Sequence, residues 1–356
     1  MMMHQKILAR VLLSVFLIGA THAAKAGGEG TFQPGDFILD HIGDAYDWHI
    51  LSWKEHHVSV PLPVILYSRQ SGFSMFLSSK FHHGSHSHKG YVIANETHPD
   101  KNLKGKIVEV ATGERPMLDL SITKNVFAIF VSVAVMLWVF ISVAKAYVSR
   151  GNNAAPKGLQ SWIEPVLLFV RDDIARPAIG YKYKRFMPYL LTLFFFILVS
   201  NLMGLIPFFP FGANVTGNIA VALVLALFTF FITTFVGTKT YWVHIFNTPG
   251  VPWWLKSPVL PLMPIIELAG VITKPFVLMI RLFANITAGH IIVMGFFSLI
   301  FIFGAMKPAL GYGASVISVL FSVFMFFLEL LVAFIQAYVF TLLSALYFGM
   351  AVQDHH

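Results

Sequence analysis

An arginine, an asparagine and a small residue share one face of a long apolar segment. In the stretch VLMIRLFANITAGHIIVMGF, residues 277–296, Asn285 and Ala288 lie within about 40° of Arg281 if the segment is an α-helix. A guanidinium stays charged at any working pH, and its cost at the centre of a bilayer is about 2.5–3.5 kcal/mol. Small residues such as Ala288 and Gly289 let another helix approach closely. We therefore expect Arg281 to face protein and not lipid.

Four other polar side chains in the last two apolar segments are candidates for function, and three of them can titrate: Glu267, His290, Glu329 and Gln336. Glu267 lies fourteen positions before Arg281 on nearly the same helix face, about 21 Å along the helix. Glu329 and Gln336 are seven residues apart and share a face. An antiparallel arrangement of the two segments would bring His290 toward Glu329 and Gln336 toward Arg281. Titratable groups spaced across a bilayer are suited to moving protons.

Arg281 cannot relay protons, because arginine does not titrate, but it can hold a mobile carboxylate in its ionised form. This chain offers no obvious mobile carboxylate, so we expect a partner chain to carry it. An isolated intramembrane polar residue has a simpler explanation, a hydrogen bond that holds helices together, and this is the favoured interpretation of Asn285 and Asn201 taken alone. A charged arginine with two carboxylates and a histidine in two segments indicates a functional site instead.

The composition is that of an integral membrane protein. Hydrophobic residues make up 56% of the 356 residues and charged residues 12%, and the mean hydropathy is +0.71. The net charge is +8, but the basic residues are spread through the flanks of apolar segments, which indicates membrane topology and no nucleic-acid partner. The absence of cysteine excludes disulfides, iron–sulfur clusters and thiolate metal sites.

Five apolar segments predict five transmembrane helices, at residues 126–144, 188–206, 219–235, 262–305 and 314–350. The last two would each be about 60 Å long as continuous helices, twice the ~30 Å hydrocarbon core. Each is therefore either a pair of short spans or one long helix that is steeply tilted. Neither contains a polar turn at its midpoint, and Pro275 is able to kink the fourth without ending it. We predict an all-α membrane domain whose last two helices are long, steeply tilted and joined near MKPALGYG.

The start of the chain resembles a secretory signal peptide. Lys6 and Arg10 precede a short apolar run at 11–20, and the sequence Ala-Lys-Ala at 24–26 is a cleavage site of the A-x-A type. We predict a signal peptide at 1–26 and a mature chain that begins outside the cytoplasm. An uncleaved anchor is the alternative.

Basic residues orient the remaining segments. The loop PFFPFGANVTGN, after the second span, has no basic residue. The loop between the first two spans carries eight: Lys145, Arg150, Lys157, Arg171, Arg176, Lys182, Lys184 and Arg185. The basic loop is therefore predicted to be cytoplasmic, as is the C-terminal tail. Within it, residues 159–177 mix apolar and charged side chains like a helix that lies on the membrane surface.

Residues 27–120 are predicted to form a small β-rich, extracytoplasmic domain, because β-branched runs alternate with Gly, Pro and Ser. Two of its stretches are rich in histidine and aspartate: Asp40, His41, Asp44, Asp47 and His49, and His82, His83, His86 and His88. Metal binding is one interpretation. The spacing matches no zinc finger, so a solvated histidine-rich loop without metal is the favoured one.

From about residue 120 to residue 352 the chain resembles subunit a of the F-type ATP synthase, the stator of its membrane sector. The resemblance rests on RLFANITAGH, NLMGLIP, ANVTGNIA and LELLVAFIQAYVFTLLSALY. It implies that Arg281 faces the rotor ring of c subunits, with Asn285 and Gln336 beside it. It further implies that Glu267 is the polar position toward the cytoplasm and that His290 and Glu329 form the family's histidine and acid pair. The exported N-terminal domain departs from the short N-terminus of common members.

The resemblance implies a non-catalytic, proton-translocating subunit of a bacterial inner membrane, without a cofactor. Protons would enter past His290 and Glu329, ride on the ring and leave past Glu267, and the partners would be the c-ring and the b subunits of the peripheral stalk. The predicted domains are 1–26, 27–120 and 121–356. A secondary transporter is the alternative, but the sequence shows no internal repeat. A haem or quinone subunit is disfavoured, because His290 is the only histidine deep in a span.

Overall fold

The computed structural model describes residues 34–53, 56–69, 71–95, 98–150, 155–206, 209–246 and 262–352. The predicted signal peptide lies outside these residues. The chain divides into two units. One comprises Met1–Phe127, Phe208–Ala213 and His290–Phe326, and the other comprises Ala128–Pro207, Asn214–Gly289 and Phe327–His356.

The apolar segments fold as helices. Within the described ranges the helices are α1 (Pro34–Ile42), α2 (Lys124–Arg150), α3 (Leu159–Phe169), α4 (Arg176–Ile179), α5 (Tyr183–Gly204), α6 (Ile219–Val236), α7 (Lys239–Phe246), α8 (Leu262–Met306) and α9 (Pro308–Val352). Among the described residues, five helical stretches are long and apolar enough to cross a membrane. The prediction of a helical membrane domain with five spans is therefore confirmed.

The last two helices are continuous over 45 residues each, as the missing midpoint turns predicted. Pro275 lies inside α8 without ending it. The two helices meet at Lys307, within the predicted junction MKPALGYG, and α9 begins at Pro308, six residues before the predicted apolar segment. Proline is favoured at the first position of a helix, where its missing N–H would have no intrahelical partner. The steep tilt stays a prediction.

The region before α5 forms a broken helix. After α3 the chain runs through a π-helical turn at Val170–Ala175 and then α4, and a 3₁₀ turn at Gly180–Lys182 leads into α5. Within the turn, Asp172 pairs with Arg171 and Arg176, each at 2.7 Å. The predicted surface helix at 159–177 is thus helical, but it is irregular and nearly continuous with the second span.

Before α2 lies a small β domain, as predicted. Its strands are β1 (Asp47–Trp53), β2 (His56–Pro61), β3 (Pro63–Ser68), β4 (Gly72–Leu77), β5 (Tyr91–Ile93), β6 (Ile107–Glu109) and β7 (Leu118–Asp119). They form antiparallel sheets β1-β2, β4-β3-β7 and β5-β6. The core consists of six buried residues: Tyr46, Val64, Leu66, Phe81, Tyr91 and Ile107. Helix α1, which the sequence analysis did not predict, precedes the first strand.

The β domain is attached to the first transmembrane helix by hydrogen bonds. The Asp44 carboxylate accepts from the Thr123 hydroxyl at 2.8 Å and from the Asn125 backbone N–H at 3.0 Å, so it caps the N-terminus of α2. The Lys124 N–H donates to the Ala45 carbonyl at 2.8 Å. These bonds satisfy donors at a helix start that α2 itself leaves without acceptors.

The second unit has a core of large apolar side chains from several helices. Leu190 and Phe194 of α5, Leu278 and Leu282 of α8 and Phe348 of α9 are almost completely buried. Such interdigitation fixes the positions of the helices that carry the polar residues.

Candidate functional site

Helix α8 presents a polar, small-residue face that the described part of this chain leaves open. Arg281, Asn285 and Ala288 are all exposed. Leu278 and Leu282, in contrast, are buried to 1% and 0% exposure. The helical period therefore separates a packed side of α8 from a side that carries a permanent charge and an amide. Such a face can receive a partner helix with an acidic group.

A second polar position lies where α8 and α9 meet in the second unit. Gly289 packs against the Glu329 side chain, and a Cβ atom at position 289 would lie 2.6 Å from Glu329 Oε1 and 3.1 Å from its Cγ. A methyl group fits there only if the flexible end of the Glu329 side chain moves, so glycine at 289 leaves room for the carboxyl group in its present position. His290 is the next residue along α8 and is partly buried.

Gln336 and Arg281 lie in different environments. The Gln336 side chain is buried to 5% exposure on α9, whereas Arg281 is exposed on α8. The structure thus places Gln336 inside the second unit and Arg281 at its surface.

Asn201 holds helices together, as the simpler interpretation of isolated polar residues predicted. Its amide donates to the Ala333 carbonyl of α9 at 3.2 Å, and its side-chain oxygen accepts from the Thr216 hydroxyl. The Thr287 hydroxyl of α8 donates to the Gly217 carbonyl at 3.3 Å. Asn201 is therefore a buried, satisfied structural residue. Asn285 differs from it, because Asn285 is exposed.

A small, partly open cavity lies in the second unit and is lined by α6, α7, α8 and α9. Its polar lining includes Thr229, Thr233, Tyr241, Lys274 and Tyr347. The Lys274 ammonium lies over the Tyr347 ring, 5.3 Å from its centroid. The space is no larger than about one water molecule, which the hydroxyl and ammonium groups around it can bind.

The short helix α7 contributes a tyrosine to the cavity wall. Burial and the Glu267 carboxylate raise the pKa of Tyr241, which lies on the short helix α7. Glu267 and Arg281 do not line the cavity themselves, but they lie on the same helix, α8, as its wall residue Lys274.

Sequence reasoning missed Lys274 although a signal was present. Lys274 is seven residues after Glu267 and seven before Arg281, so all three lie along one stripe of α8. Tyr241 and Tyr347 had no comparable signal, because they come from other helices and only packing brings them to the cavity.

The histidine-rich region forms no metal-binding cluster within the described residues. No group of three or more His, Cys, Asp or Glu side chains is arranged there to bind an ion. His82 and His86 are exposed, with ring centroids 5.1 Å apart. The side chains of Asp40, His41, His49 and His83 are outside the described set. The favoured interpretation, a solvated loop without metal, stays a prediction.

Comparison with known proteins decides the family. A family described as "ATP synthase A chain" matches residues 126–349. This chain belongs to that family. Residues 37–122 match a separate family described as a domain of unknown function. The predicted resemblance to subunit a, with an additional N-terminal domain, is thus confirmed.

Relatives of the A chain family come from several bacteria. "ATP synthase subunit a 2" of Chlorobaculum tepidum is 48% identical over 246 residues, which are 67% of this chain and 66% of the relative. "ATP synthase subunit a" of Chloroherpeton thalassium is 42% identical over 245 residues, 67% of this chain and 69% of the relative. "ATP synthase subunit a" of an Anaeromyxobacter species is 40% identical over 250 residues, which are 67% of this chain and 56% of the relative. The matched segment therefore spans about two thirds of the first two relatives.

Membership of the A chain family, together with five membrane-spanning stretches, makes this chain a multi-pass membrane protein. The match supports the stator interpretation and gives no support to the transporter alternative.

Proposed function

We propose that this chain is the proton-translocating, non-catalytic stator subunit of an F-type ATP synthase. The observation that carries the proposal is the exposed face of Arg281, Asn285 and Ala288 on a 45-residue helix in a chain of the A chain family. A fixed cation exposed at membrane depth needs an anionic partner, because solvation by lipid is costly. Carboxylates of a rotor ring of c subunits, passing one after another, supply that partner.

The proton path has two parts that Arg281 separates. On the outer side, protons reach the ring by way of His290 and Glu329, and Gly289 leaves the room that the Glu329 carboxyl group occupies. On the inner side they leave through the cavity beside Lys274 and past Glu267. Each proton that crosses a potential of 100 mV releases about 2.3 kcal/mol. Arg281 forces this energy to pass through ring rotation, since a fixed positive charge repels a proton that moves directly between the two parts.

Asn285 and Gln336 have supporting roles in this proposal. Asn285 shares the exposed face of Arg281 and contacts the ring beside it. Gln336, which is buried on α9, is the second proposed neighbour of Arg281 in the proton path.

The proposed location is the bacterial inner membrane, with a signal peptide at 1–26, a periplasmic domain at 27–120 and a membrane domain at 121–356. The basic loop between α2 and α5 and the C-terminus are cytoplasmic in this topology. Beyond the c-ring, the b subunits of the peripheral stalk are the expected partners. Protease added to spheroplasts should then cleave between residues 27 and 120. Cleavage there only in inverted vesicles would contradict the topology.

Purification from native membranes in a mild detergent tests the function. We expect the chain to co-purify with an oligomeric proteolipid ring and a soluble ATPase, and the reconstituted complex to synthesise ATP when a proton gradient is applied. A chain that purifies without either partner, and moves a solute by itself in liposomes, would contradict the proposal.

A further inference from the structure

The three-stranded sheet β4-β3-β7 has an apolar face that the described residues do not cover. In its register, Tyr67 pairs with both Phe73 and Leu118, and Ile65 pairs with Met75. Directly paired residues point to the same side of an antiparallel sheet. The exposed fractions of Phe73 and Met75 are 66% and 58%, although both are large apolar side chains. We call this surface the outer face, and its members are Tyr67, Phe73, Met75, Leu77, Leu118 and Leu120.

The opposite face of the same sheet already forms the domain core. Val64 and Leu66 alternate with the outer residues along β3 and are buried. Asp119 pairs with Leu66, and its carboxylate accepts a hydrogen bond from the Tyr46 hydroxyl at 2.5 Å, so Leu118 on its N-terminal side points outward. A sheet with one solvated face normally alternates apolar and polar residues. This sheet is apolar on both faces, which indicates that the outer face has a partner.

The sheet ends at the start of the first transmembrane helix. Pairing with β3 continues beyond β7, because the Leu120 N–H donates to the Ile65 carbonyl and the Ile122 N–H donates to the Pro63 carbonyl, both at 2.9 Å. Helix α2 begins two residues later, at Lys124. Two residues span at most about 7 Å. The outer face is thus connected directly, within a few residues, to the first candidate membrane-spanning helix.

We propose that the outer face docks on the lipid bilayer, with Tyr67, Phe73, Met75, Leu77, Leu118 and Leu120 inserted at the headgroup boundary. Aromatic and aliphatic side chains favour this depth. Arg69 and Lys80, which follow β3 and β4, are exposed and suited to anionic headgroups. The attachment to α2 raises the effective concentration of the face at the membrane, so a weak intrinsic affinity is sufficient. A protein partner would require a surface matched to this face, whereas the direct connection to α2 already brings the sheet to the membrane surface.

Site-directed fluorescence tests the proposal, and the chain is suited to it because it contains no cysteine. Met75→Cys and Phe73→Cys place a label on the outer face. Ser87→Cys is the control, because Ser87 is exposed and lies next to His88, whose ring packs on Phe76 at 4.9 Å. The whole complex is labelled with a polarity-sensitive fluorophore in liposomes of phosphatidylethanolamine and phosphatidylglycerol. The unsubstituted complex is treated in the same way, and its fluorescence gives the background from label on other subunits.

The emission of both outer-face labels should be shifted to the blue. These labels should be protected from quenching by aqueous iodide, but nitroxides on lipid headgroups should quench them. The Ser87 label should be quenched by iodide alone. Equal iodide quenching at all three positions would overturn the proposal, because the face would then be in water. Outer-face labels protected from both iodide and lipid nitroxides would also overturn it, because a protein would then cover the face.

Discussion

Gly289 of α8 lies directly against the carboxyl group of Glu329 on α9, with 2.6 Å between the position of a Cβ atom at residue 289 and Glu329 Oε1. Real Cβ atoms do not approach an oxygen this closely, so any larger residue at 289 displaces the acid. The position of the Glu329 carboxyl group, in the outer part of the proposed proton path, therefore depends on residue 289 of the neighbouring helix being glycine.

Gly289→Ala should slow proton entry. The added methyl group pushes the flexible end of the Glu329 side chain away from its position, so the effect should fall on proton transfer and not on stability. We expect reduced passive proton flux through vesicles from which the soluble ATPase has been stripped. Gly289→Ala combined with Glu329→Asp should recover part of the flux, because aspartate is one methylene shorter.

Gly295→Ala is the matched control for this prediction. It makes the same change in the same helix, but nothing lies within 4 Å of a Cβ atom at residue 295. Its flux should resemble that of the unsubstituted protein. If Gly289→Ala and Gly295→Ala behaved alike, the close contact with Glu329 would have no functional importance.

Arg281→Ala should abolish ATP synthesis while the complex still assembles. A small neutral residue is less costly in a bilayer than the charge it replaces, so folding should not suffer. Without the fixed cation, passive proton permeability should rise. Arg281→Lys should also fail to couple, because it keeps a charge but loses the planar, delocalised guanidinium. ATP synthesis in inverted vesicles energised by respiration measures the effect, and native gels report assembly. Normal synthesis by an assembled Arg281→Ala complex would refute the proposed mechanism.

Filling the cavity beside Lys274 should slow proton release. Thr233 is buried in the cavity wall, and Thr233→Leu adds apolar volume where the proposal requires water. Thr233→Val is the control, because it has nearly the same size and removes only a hydroxyl that bonds within its own helix to Thr229 at 2.8 Å. Proton flux should drop in Thr233→Leu and remain close to normal in Thr233→Val. An equal flux in both variants would show that protons do not pass this cavity.

Asp44→Ala should loosen the junction between the β domain and α2. The substitution removes the acceptor of two hydrogen bonds at the helix start, and the loss of such a cap costs about 0.5–2 kcal/mol. Limited proteolysis of the complex in liposomes should show faster cleavage near residue 123. Asp44→Asn keeps one acceptor oxygen and should give an intermediate rate. Cleavage of Asp44→Ala at the normal rate would indicate that the cap does not hold the junction.

The β domain should lose stability above about pH 10 because of Tyr46. Burial, followed by the hydrogen bond to Asp119, raises the pKa of the Tyr46 hydroxyl above its ordinary value of 10.0. The folded domain therefore binds this proton more tightly than the unfolded chain does. Its contribution is complete below pH 10 and is lost as the pH rises toward the folded-state pKa. Protease protection of residues 34–122 in the full complex measures the effect.

Tyr46→Phe is the control for the alkaline transition. It removes the titrating group and the bond to Asp119, so protection should be lower at neutral pH but should depend less on pH above 10. An unchanged alkaline loss of protection in Tyr46→Phe would assign that loss to another group.

The sequence by itself determined the features that depend on one segment at a time. Apolar length and the missing midpoint turns predicted two long helices, because backbone hydrogen bonding in lipid leaves a continuous apolar segment no other stable form. The helical period placed Arg281, Asn285 and Ala288 on one face, and it also placed Lys274 between Glu267 and Arg281. These relations follow from 3.6 residues per turn and need no knowledge of neighbouring helices.

Only the tertiary structure decided which segments meet. The contact of Gly289 with Glu329, the cavity shared by Thr233 and Lys274, and the cap that Asp44 forms on α2 each join residues far apart in the chain. Such contacts depend on how the side chains of several elements interlock, and many pairings are compatible with the same apolar pattern. The local period of a helix says which side is polar, but only close packing selects the neighbour that this side meets.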